Sequence, residues 1–396
     1  MLYTLRVLYS APILRLLSAL LAVVLLLALT TSARVHADDP VSTNVSFNRE
    51  IIRIIQRKCE PCHAPGGLAF SLSDYRDARA WGRAIREELV EHRMPPAIVA
   101  RGYGGYESDP SLNTREMATF LTWLDGGMPR GDEADRPQTV TSADPDGGHD
   151  ADASVRLSLP AQDVPAGEAL VVRRVTVDAG VAAGRHIARV EFRPGNRRVV
   201  RGATLFAASG AGAPWWIGGW SPWQHALVPP ISHAFHLGPD ATLIVDVYYR
   251  GADTNLTDRS EVDVIFAAET ARGRIDDLVI EAAPDRSAGR VRGSVTLARP
   301  TTIWALHPSF DGLVTSMELR AERPDGSVEV LMWIPKASAA WPVSLVMQEP
   351  VSLPAGSRVV LVAEIGGSDA LGIAKGVGTR PTYLPGVMLS VLSRDR

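Results

Sequence analysis

The chain has 396 residues, of which 46% are hydrophobic and 21% are charged, and its formal net charge at pH 7 is -3. This length allows two or three domains, and the composition excludes a disordered chain. Because the charge is nearly balanced and no tract is rich in lysine or arginine, we expect proteins or small molecules as partners, not nucleic acids.

The N-terminus has the pattern of a secretory signal peptide. Arg6 and Arg15 precede a largely apolar run from Leu16 to Leu29, and Ala37 ends a small-residue cleavage site. An uncleaved membrane anchor is the alternative, but the run is shorter than the roughly 20 residues that span a bilayer. The sequence therefore predicts a signal peptide at residues 1–37 and a periplasmic mature protein.

A C-x-x-C-H motif follows at Cys59, Cys62 and His63. This spacing is typical of covalent haem attachment, in which each thiol bonds one vinyl group and the adjacent histidine ligates the iron. These are the only two cysteines in the chain, which excludes a disulfide framework. A zinc site would need further ligands, and a thioredoxin-like site would not need the histidine, so an isolated metal or redox pair is the weaker alternative. We expect one haem c.

Three helical patterns surround this motif. The first covers residues 48–58, the second starts after a possible cap at Ser73 and continues to His92, and the third starts at Asn113 and stops at Gly126. This order of helices and loops is the layout of a class I cytochrome c. It predicts a small all-α monohaem cytochrome c domain at residues 38–132.

Met94 is the expected sixth ligand of the haem iron. It lies in a loop after the second helix, two prolines follow it, and a thioether is a soft neutral ligand that raises the reduction potential. Met117 and Met128 are the competitors, although Met117 occupies a helical core position. With both axial positions filled, the haem would transfer electrons and bind no substrate. Trp81 and Trp123 are expected either to pack on the haem or to lie in an ordinary core.

Residues 133–153 lose the apolar periodicity and are predicted to form an acidic Pro/Gly linker. Beyond it, short β-prone runs separated by turn signals predict two antiparallel, jelly-roll-like β-sandwiches at residues 154–270 and 271–396, joined near residues 269–276. Pro324-Asp325-Gly326 is predicted as a hairpin turn. The clearest runs are residues 170–177, 187–192, 199–207, 242–249, 262–267, 314–322, 328–334 and 358–365.

Several segments give the chain a family resemblance beyond the haem motif. They are residues 75–81, 93–96, 190–200, 257–262 and 323–326. On these segments the chain resembles bacterial proteins that join a cytochrome c domain to a copper type II, ascorbate-dependent monooxygenase module, relatives of peptidylglycine α-hydroxylating monooxygenase and dopamine β-monooxygenase. The resemblance implies two jelly-roll-like β-sandwiches.

The copper ligands of that family have no counterparts here. The family's His-His pair corresponds to Arg201-Gly202, its next histidine to Tyr248, and its His-x-His to the stretch Pro308–Asp311. The late methionine ligand falls in a shortened region, residues 366–376, that contains no methionine. None of the six expected ligands is present, which argues against bound copper.

Four histidines could rebuild a copper site in the β region: His225, His233, His236 and His307. On a strand, His233 and His236 would point to opposite faces, so they could chelate only from a turn or a helical loop. The tryptophan-rich segment Trp215–Trp223 is expected to be a loop that either packs on the core or binds a partner or ligand.

These observations predict a periplasmic monohaem electron-transfer protein. Its monooxygenase-like β module would be catalytically inactive and would dock a redox partner, either an intact copper oxygenase homologue or another cytochrome. One alternative is a copper- and ascorbate-dependent monooxygenase with relocated ligands, fed electrons by its own haem domain. Another is a non-redox binding module in which the haem is only structural.

Overall fold

The computed structural model describes residues 43–96, 99–137, 154–167, 169–210, 212–224, 226–268, 273–284, 289–310, 313–366 and 386–394. The predicted signal peptide and most of the predicted linker lie outside these residues. Within the described ranges, no helix combines the length and the apolar character needed to cross a membrane.

Residues 43–137 form a helical unit. A π-helical turn at Phe47–Ile51 runs directly into the first helix, and Phe47, Phe120 and Trp123 pack together in the core of the unit. This core contains the apolar stripe that predicted the first helix. The helices are α1 (Ile52–Lys58), α2 (Glu60–His63), α3 (Tyr75–Ala80), α4 (Gly82–Val90) and α5 (Thr114–Asp125).

The second predicted helix is two helices in the structure. Asp74, not Ser73, caps α3, since its side chain accepts a hydrogen bond from the backbone N–H of Asp77 at 2.9 Å. The carboxylate is the stronger acceptor for the positive helix N-terminus. The backbone departs from helical geometry at Trp81, which separates α3 from α4.

Local features of the chain explain where the second helical pattern ends and where the third helix begins and ends. α4 ends at Val90, before the predicted His92, which has a φ of 53° outside the helix. By contrast, α5 starts and ends as predicted. Asn113 and Glu116 form a capping box, and Gly126 follows the last turn.

The rest of the described chain is all-β, as predicted. All eight runs selected from the sequence are strands, and the last three agree with the observed bounds. The strands are β1 (Ser154–Ser158), β2 (Gln162–Val164), β3 (Leu170–Asp178), β4 (His186–Arg193), β5 (Val200–Ser209), β6 (Trp215–Trp220), β7 (His233–His236), β8 (Ala241–Arg250), β9 (Leu256–Asp258), β10 (Glu261–Phe266), β11 (Gly273–Glu281), β12 (Ala283–Pro284), β13 (Arg290–Thr296), β14 (Thr301–Ser309), β15 (Val314–Glu322), β16 (Val328–Ile334), β17 (Leu345–Leu353), β18 (Arg358–Ile365) and β19 (Gly386–Arg394).

The strands form two packed layers. One layer is an eight-stranded sheet in the order β1-β10-β4-β7-β11-β19-β14-β17. The first half of this sheet packs against the four-stranded sheet β3-β8-β5-β6, and the second half against the five-stranded sheet β12-β13-β18-β15-β16. Two sandwiches, each with its own apolar core, therefore lie side by side, and β2 and β9 form a separate two-stranded ribbon.

The two sandwiches share main-chain hydrogen bonds. β7 pairs in parallel with β11 through Gly273–His233 and Arg274–Ala234, whereas the other strand pairs of the described residues are antiparallel. Trp304 of the second sandwich is also buried in the first core. The predicted junction near residues 269–276 therefore overlaps β11, and its residues 269–272 lie outside the described ranges.

The tryptophan-rich segment is mainly a strand, not a loop. Residues 215–220 form β6, beside β5. Trp216 and Trp220 are buried in the first core, so packing accounts for them. Trp223 lies beyond the strand and contacts the ring of Trp341 at 5.1 Å between centroids.

Residues 99–110 of the helical unit contact the second sandwich. Glu107 N donates to Val346 O and Gln348 N donates to Gly105 O, each at 2.9 Å, on either side of the bridge between Tyr106 and Met347. Tyr106 is buried in the second core. These contacts fix the position of the helical unit against the β region.

Candidate functional site

A cavity of about 1120 Å³ lies between the helical unit and the first sandwich. Cys59, Cys62, His63 and Met94 all line it, so the four residues predicted to attach and ligate a haem meet at one place. The cavity exceeds the roughly 300–1,000 Å³ of common small-molecule pockets, which leaves room for a large planar ligand.

The two cysteines lie at the two ends of one helical turn. Cys59 ends α1 and precedes α2, and its carbonyl oxygen accepts hydrogen bonds from the backbone N–H groups of Cys62 at 3.0 Å and His63 at 2.8 Å. Residues three apart on a helix share a face. The turn therefore presents both thiols to the same cavity, and both cysteines are free.

Burial keeps both thiols protonated at neutral pH. It raises the pKa of Cys59 to about 12, and the neighbouring Cys62 thiol and Glu60 add to this effect. Burial also raises the pKa of Cys62 to about 11, against the opposing positive charge of Arg201. Because the thiolate is the form that oxidises, burial lowers the reactivity of this pair.

The imidazole of His63 has a fixed orientation. Its Nδ1 lies 2.9 Å from the carbonyl oxygen of Phe70, and since a carbonyl can only accept, Nδ1 carries the proton and Nε2 carries the lone pair. Burial lowers the pKa of His63, which favours the neutral ring. A neutral histidine held through one nitrogen is the usual arrangement of an iron ligand.

Met94, the expected sixth ligand, is the methionine among the described residues that lines the cavity. Its backbone N–H and that of Arg93 both bond to the carbonyl oxygen of Glu88 at the end of α4, at 3.3 and 2.9 Å. Met117 and Met128 instead pack against the core of the helical unit, where Met128 lies beside Gly82. Neither competitor lines the cavity.

The chain after the motif folds closely around it. Leu72 N donates to His63 O at 2.9 Å, and Ala69 N donates to Cys62 O at 3.2 Å. At Gly67 a Cβ atom would lie 2.8 Å from Cys62 O, so this close return of the backbone requires glycine. The apolar part of the wall includes Leu68, Leu72, Ile85, Leu89 and Phe120.

Two thiols, an imidazole nitrogen, a thioether sulfur and an apolar wall are the groups that a covalently attached haem needs. The residues present therefore fit that cofactor. The two tryptophans considered with it do not line the cavity. Trp123 is fully buried in the helical core, and Trp81 is 44% exposed and stacks on Phe70 at 4.2 Å.

The β region supplies the opposite wall, which the sequence analysis missed. Arg198, Arg201 and Arg250 reach the cavity from the first sandwich, and Trp341 from the second. The Arg201 guanidinium lies 4.4 Å above the Trp341 ring centroid. The basic stretch from Arg197 to Arg201 was the available sequence signal, but only the fold brings Arg250 beside it.

The histidines considered for copper are not assembled around a common point. The side chain of His233 lies against Gly273, and the ring of His236 lies 5.0 Å from that of His186 on the neighbouring strand. His307 is buried, stacks on Trp216 at 5.1 Å, and bonds through Nδ1 to the carbonyl of Val343. His225 lies outside the described residues. In the part of the chain that the structure describes, no group of three or more His, Cys, Asp or Glu side chains could hold a metal ion.

The positions that correspond to the missing copper ligands have other surroundings. Gly202 packs so closely against Pro342 that a Cβ atom would lie 2.3 Å from its ring. Tyr248 and His307 line a second cavity of about 300 Å³ between the sandwiches, together with Met388. Asp311 and residues 367–376 of the shortened region lie outside the described residues.

Comparison with known proteins gives distant structural likenesses. No protein-family model matches the chain, and no curated protein matches it. Among solved structures, a recombinant N-glycanase F (PNGase F) is 10% identical, with a TM-score of 0.30, over 62% of this chain and 96% of that one. The major capsid protein P2 of bacteriophage PM2 is 7% identical, with a TM-score of 0.25, over 61% of this chain and 98% of that one. PNGase F from Flavobacterium meningosepticum, a glycosylasparaginase, is also 10% identical, with a TM-score of 0.28, over 61% of this chain and 96% of that one. Likenesses this distant do not identify a family.

Proposed function

We propose that the chain is a c-type monohaem electron-transfer protein. The observation that carries this proposal is the meeting of Cys59, Cys62, His63 and Met94 in one large cavity with an apolar wall. When bound, the haem would supply one-electron chemistry through its ferric and ferrous states.

Each of the four residues has a separate role. The thiols of Cys59 and Cys62 would attach the cofactor covalently, each by adding its S–H across one vinyl group. His63 would ligate the iron through Nε2, because Phe70 O accepts a hydrogen bond from Nδ1–H. Met94 would ligate it through sulfur and, as a weak neutral donor, would favour the reduced state. With both protein ligands bound, the iron would have no position for a substrate, which distinguishes electron transfer from oxygen chemistry.

The β region then serves as a docking module for a redox partner. The family resemblance supports this role, since in such fusions the β-sandwiches carry the oxygenase. The partner would be an intact copper oxygenase homologue or another cytochrome. The N-terminal signal pattern supports a periplasmic location, where haem is joined to such motifs in bacteria.

The test is to express the full chain with its signal segment in a periplasm that matures c-type cytochromes and to load the product with copper. We expect one haem that stays on the chain in denaturant, a low-spin spectrum typical of histidine and methionine ligation, and no stoichiometric copper. The Cys59→Ala, Cys62→Ala double variant must lose the covalently attached haem. A wild-type chain without covalent haem overturns the proposal.

The same sample decides the alternative function. One or two tightly held copper ions per chain would support a copper monooxygenase with relocated ligands. Single substitutions of His225, His233, His236 and His307 would then identify the ligands. A haem whose reduction potential does not respond to any redox partner would instead support a binding module.

A further inference from the structure

We propose that Arg198, Arg201 and Arg250 of the first β-sandwich bind the propionate carboxylates of the haem, so that the cofactor is held by both units of the chain. This inference rests on the proposed function. It goes further because it assigns a cofactor-binding role to the β region.

The three arginines converge because two neighbouring strands carry them. Arg201 lies in β5, Arg198 just before it, and Arg250 at the end of β8. β5 and β8 are paired, and Arg250 N donates to Val199 O at 2.9 Å, which closes this end of the sheet. Three guanidinium groups therefore face the cavity from one rigid edge.

The wall is suited to a doubly negative ligand. Lys58 and the three arginines give the cavity four basic side chains against two acidic ones, Glu88 and Asp253. Glu88 is itself paired with Arg93 at 2.9 Å. An anion that enters here is attracted by this positive charge.

The chemistry of the groups also matches. A guanidinium presents parallel N–H donors that fit the two oxygens of a carboxylate. The Trp341 ring beneath Arg201 limits the freedom of that side chain, so less entropy is lost when it binds. The opposite wall carries the thiols, the imidazole and the apolar residues. The cavity is therefore polar and basic on the β side and apolar around the motif, which matches a haem with its polar edge toward the β region.

This contact has a measurable consequence for the reduction potential. Propionate anions stabilise the more positive ferric state, and cations that neutralise them favour the ferrous state. Removal of one guanidinium should therefore lower the potential. Because the guanidinium also stabilises the ionised propionate, its removal should let that carboxylate protonate at a higher pH, and the pH-dependent part of the potential should move with it.

The experiment measures the reduction potential of the full haem-loaded chain as a function of pH. The variants are Arg198→Gln, Arg201→Gln and Arg250→Gln, and the control is Arg197→Gln, an exposed arginine that does not line the cavity. At neutral pH we expect each cavity variant to shift the ferrous-to-ferric equilibrium about tenfold toward ferric, which is about 59 mV for one electron. The control should shift it less than about twofold and should leave the pH dependence of the potential unchanged.

Equal potentials in the cavity variants and the control would overturn the inference and leave the proposed function intact, since the haem would still be attached. A wild-type chain without covalent haem would overturn both. If Arg201→Gln fails to fold, Arg198→Gln decides the question, because Arg198 is exposed and lies outside the strands.

Discussion

Tyr106, which leaves the helical unit, lies opposite Met347 of β17 and donates its hydroxyl hydrogen to the carbonyl oxygen of Leu331 in the next sheet. Burial raises the pKa of this phenol, so it stays a donor throughout the neutral range. One residue thus connects the helical unit to both sheets of the second sandwich, to one through its backbone and to the other through its side chain.

Tyr106→Phe should lower the free energy of unfolding by about 1–2 kcal/mol, because a buried carbonyl loses its partner while the ring remains. Denaturant unfolding measures this change. Tyr103→Phe is the matched control, since Tyr103 is 37% exposed and contacts Trp333 through its ring. An equal loss in both variants would contradict the role assigned to the Tyr106 hydroxyl.

If the chain carries the proposed haem, His63→Ala should leave it attached through Cys59 and Cys62 but remove the nitrogen ligand. The iron then changes from low spin to high spin, which the optical spectrum of the oxidised protein reports. His92→Ala should leave the spectrum unchanged, because His92 is exposed and does not line the cavity. A low-spin His63→Ala variant would show that another residue occupies that axial position.

Met94→Ala should lower the reduction potential and abolish the sulfur–iron absorption band, since the thioether is the ligand that favours the ferrous state. Met117→Leu is the control with similar volume in the helical core. We expect it to keep both the band and the potential. Loss of the band in Met117→Leu alone would reverse the ligand assignment.

Asp277 should make the β region less stable as the pH rises from about 4 to about 7. Burial raises its pKa to about 7, although the backbone N–H of Trp216 and the hydroxyl of Ser390 donate to it. The folded state therefore binds more protons than the unfolded state, whose aspartate pKa is about 3.9. Stability then falls as pH rises, by up to about 1.4 kcal/mol per pH unit.

Urea unfolding at several pH values tests this slope. Asp277→Asn should remove it between about pH 4 and pH 7, since the amide does not ionise and its oxygen can still accept from Trp216 N. Asp325→Asn should keep the slope, because Asp325 is exposed and its pKa is lowered through the hydroxyl and backbone of Ser327. A slope retained in Asp277→Asn would assign the pH dependence to another group.

Local patterns predicted most of the secondary structure. The capping box at Asn113 and the alternation in β15 and β16 depend on residues close in sequence, and so does the hairpin at Gly326, whose φ is 86°. β6 was misread because Trp215–Trp220 contains two adjacent glycines and no alternation. The side chains of β6 pack against residues of both layers that are distant in sequence, and a short stretch of sequence does not show such contacts.

The candidate site also has one part that the sequence could predict and one part that only the fold reveals. Cys59, Cys62 and His63 are neighbours in the chain, and Met94 follows directly after the second helical pattern, so sequence reasoning could select them. Arg201 and Arg250 lie 49 positions apart and meet only because β5 and β8 pair. The His186–His236 ring contact was missed for the same reason, since it depends on the register of β4 against β7.

The short parallel pairing of β7 with β11 has a mechanical consequence. β7 holds β4 through two residue pairs on one side and β11 through two on the other, whereas most neighbouring strands share five or more. This four-residue strand therefore makes the main-chain connection between the two sandwiches within the eight-stranded sheet. We expect a force that pulls the two sandwiches apart to break these short pairings before the longer strand pairs within either sandwich.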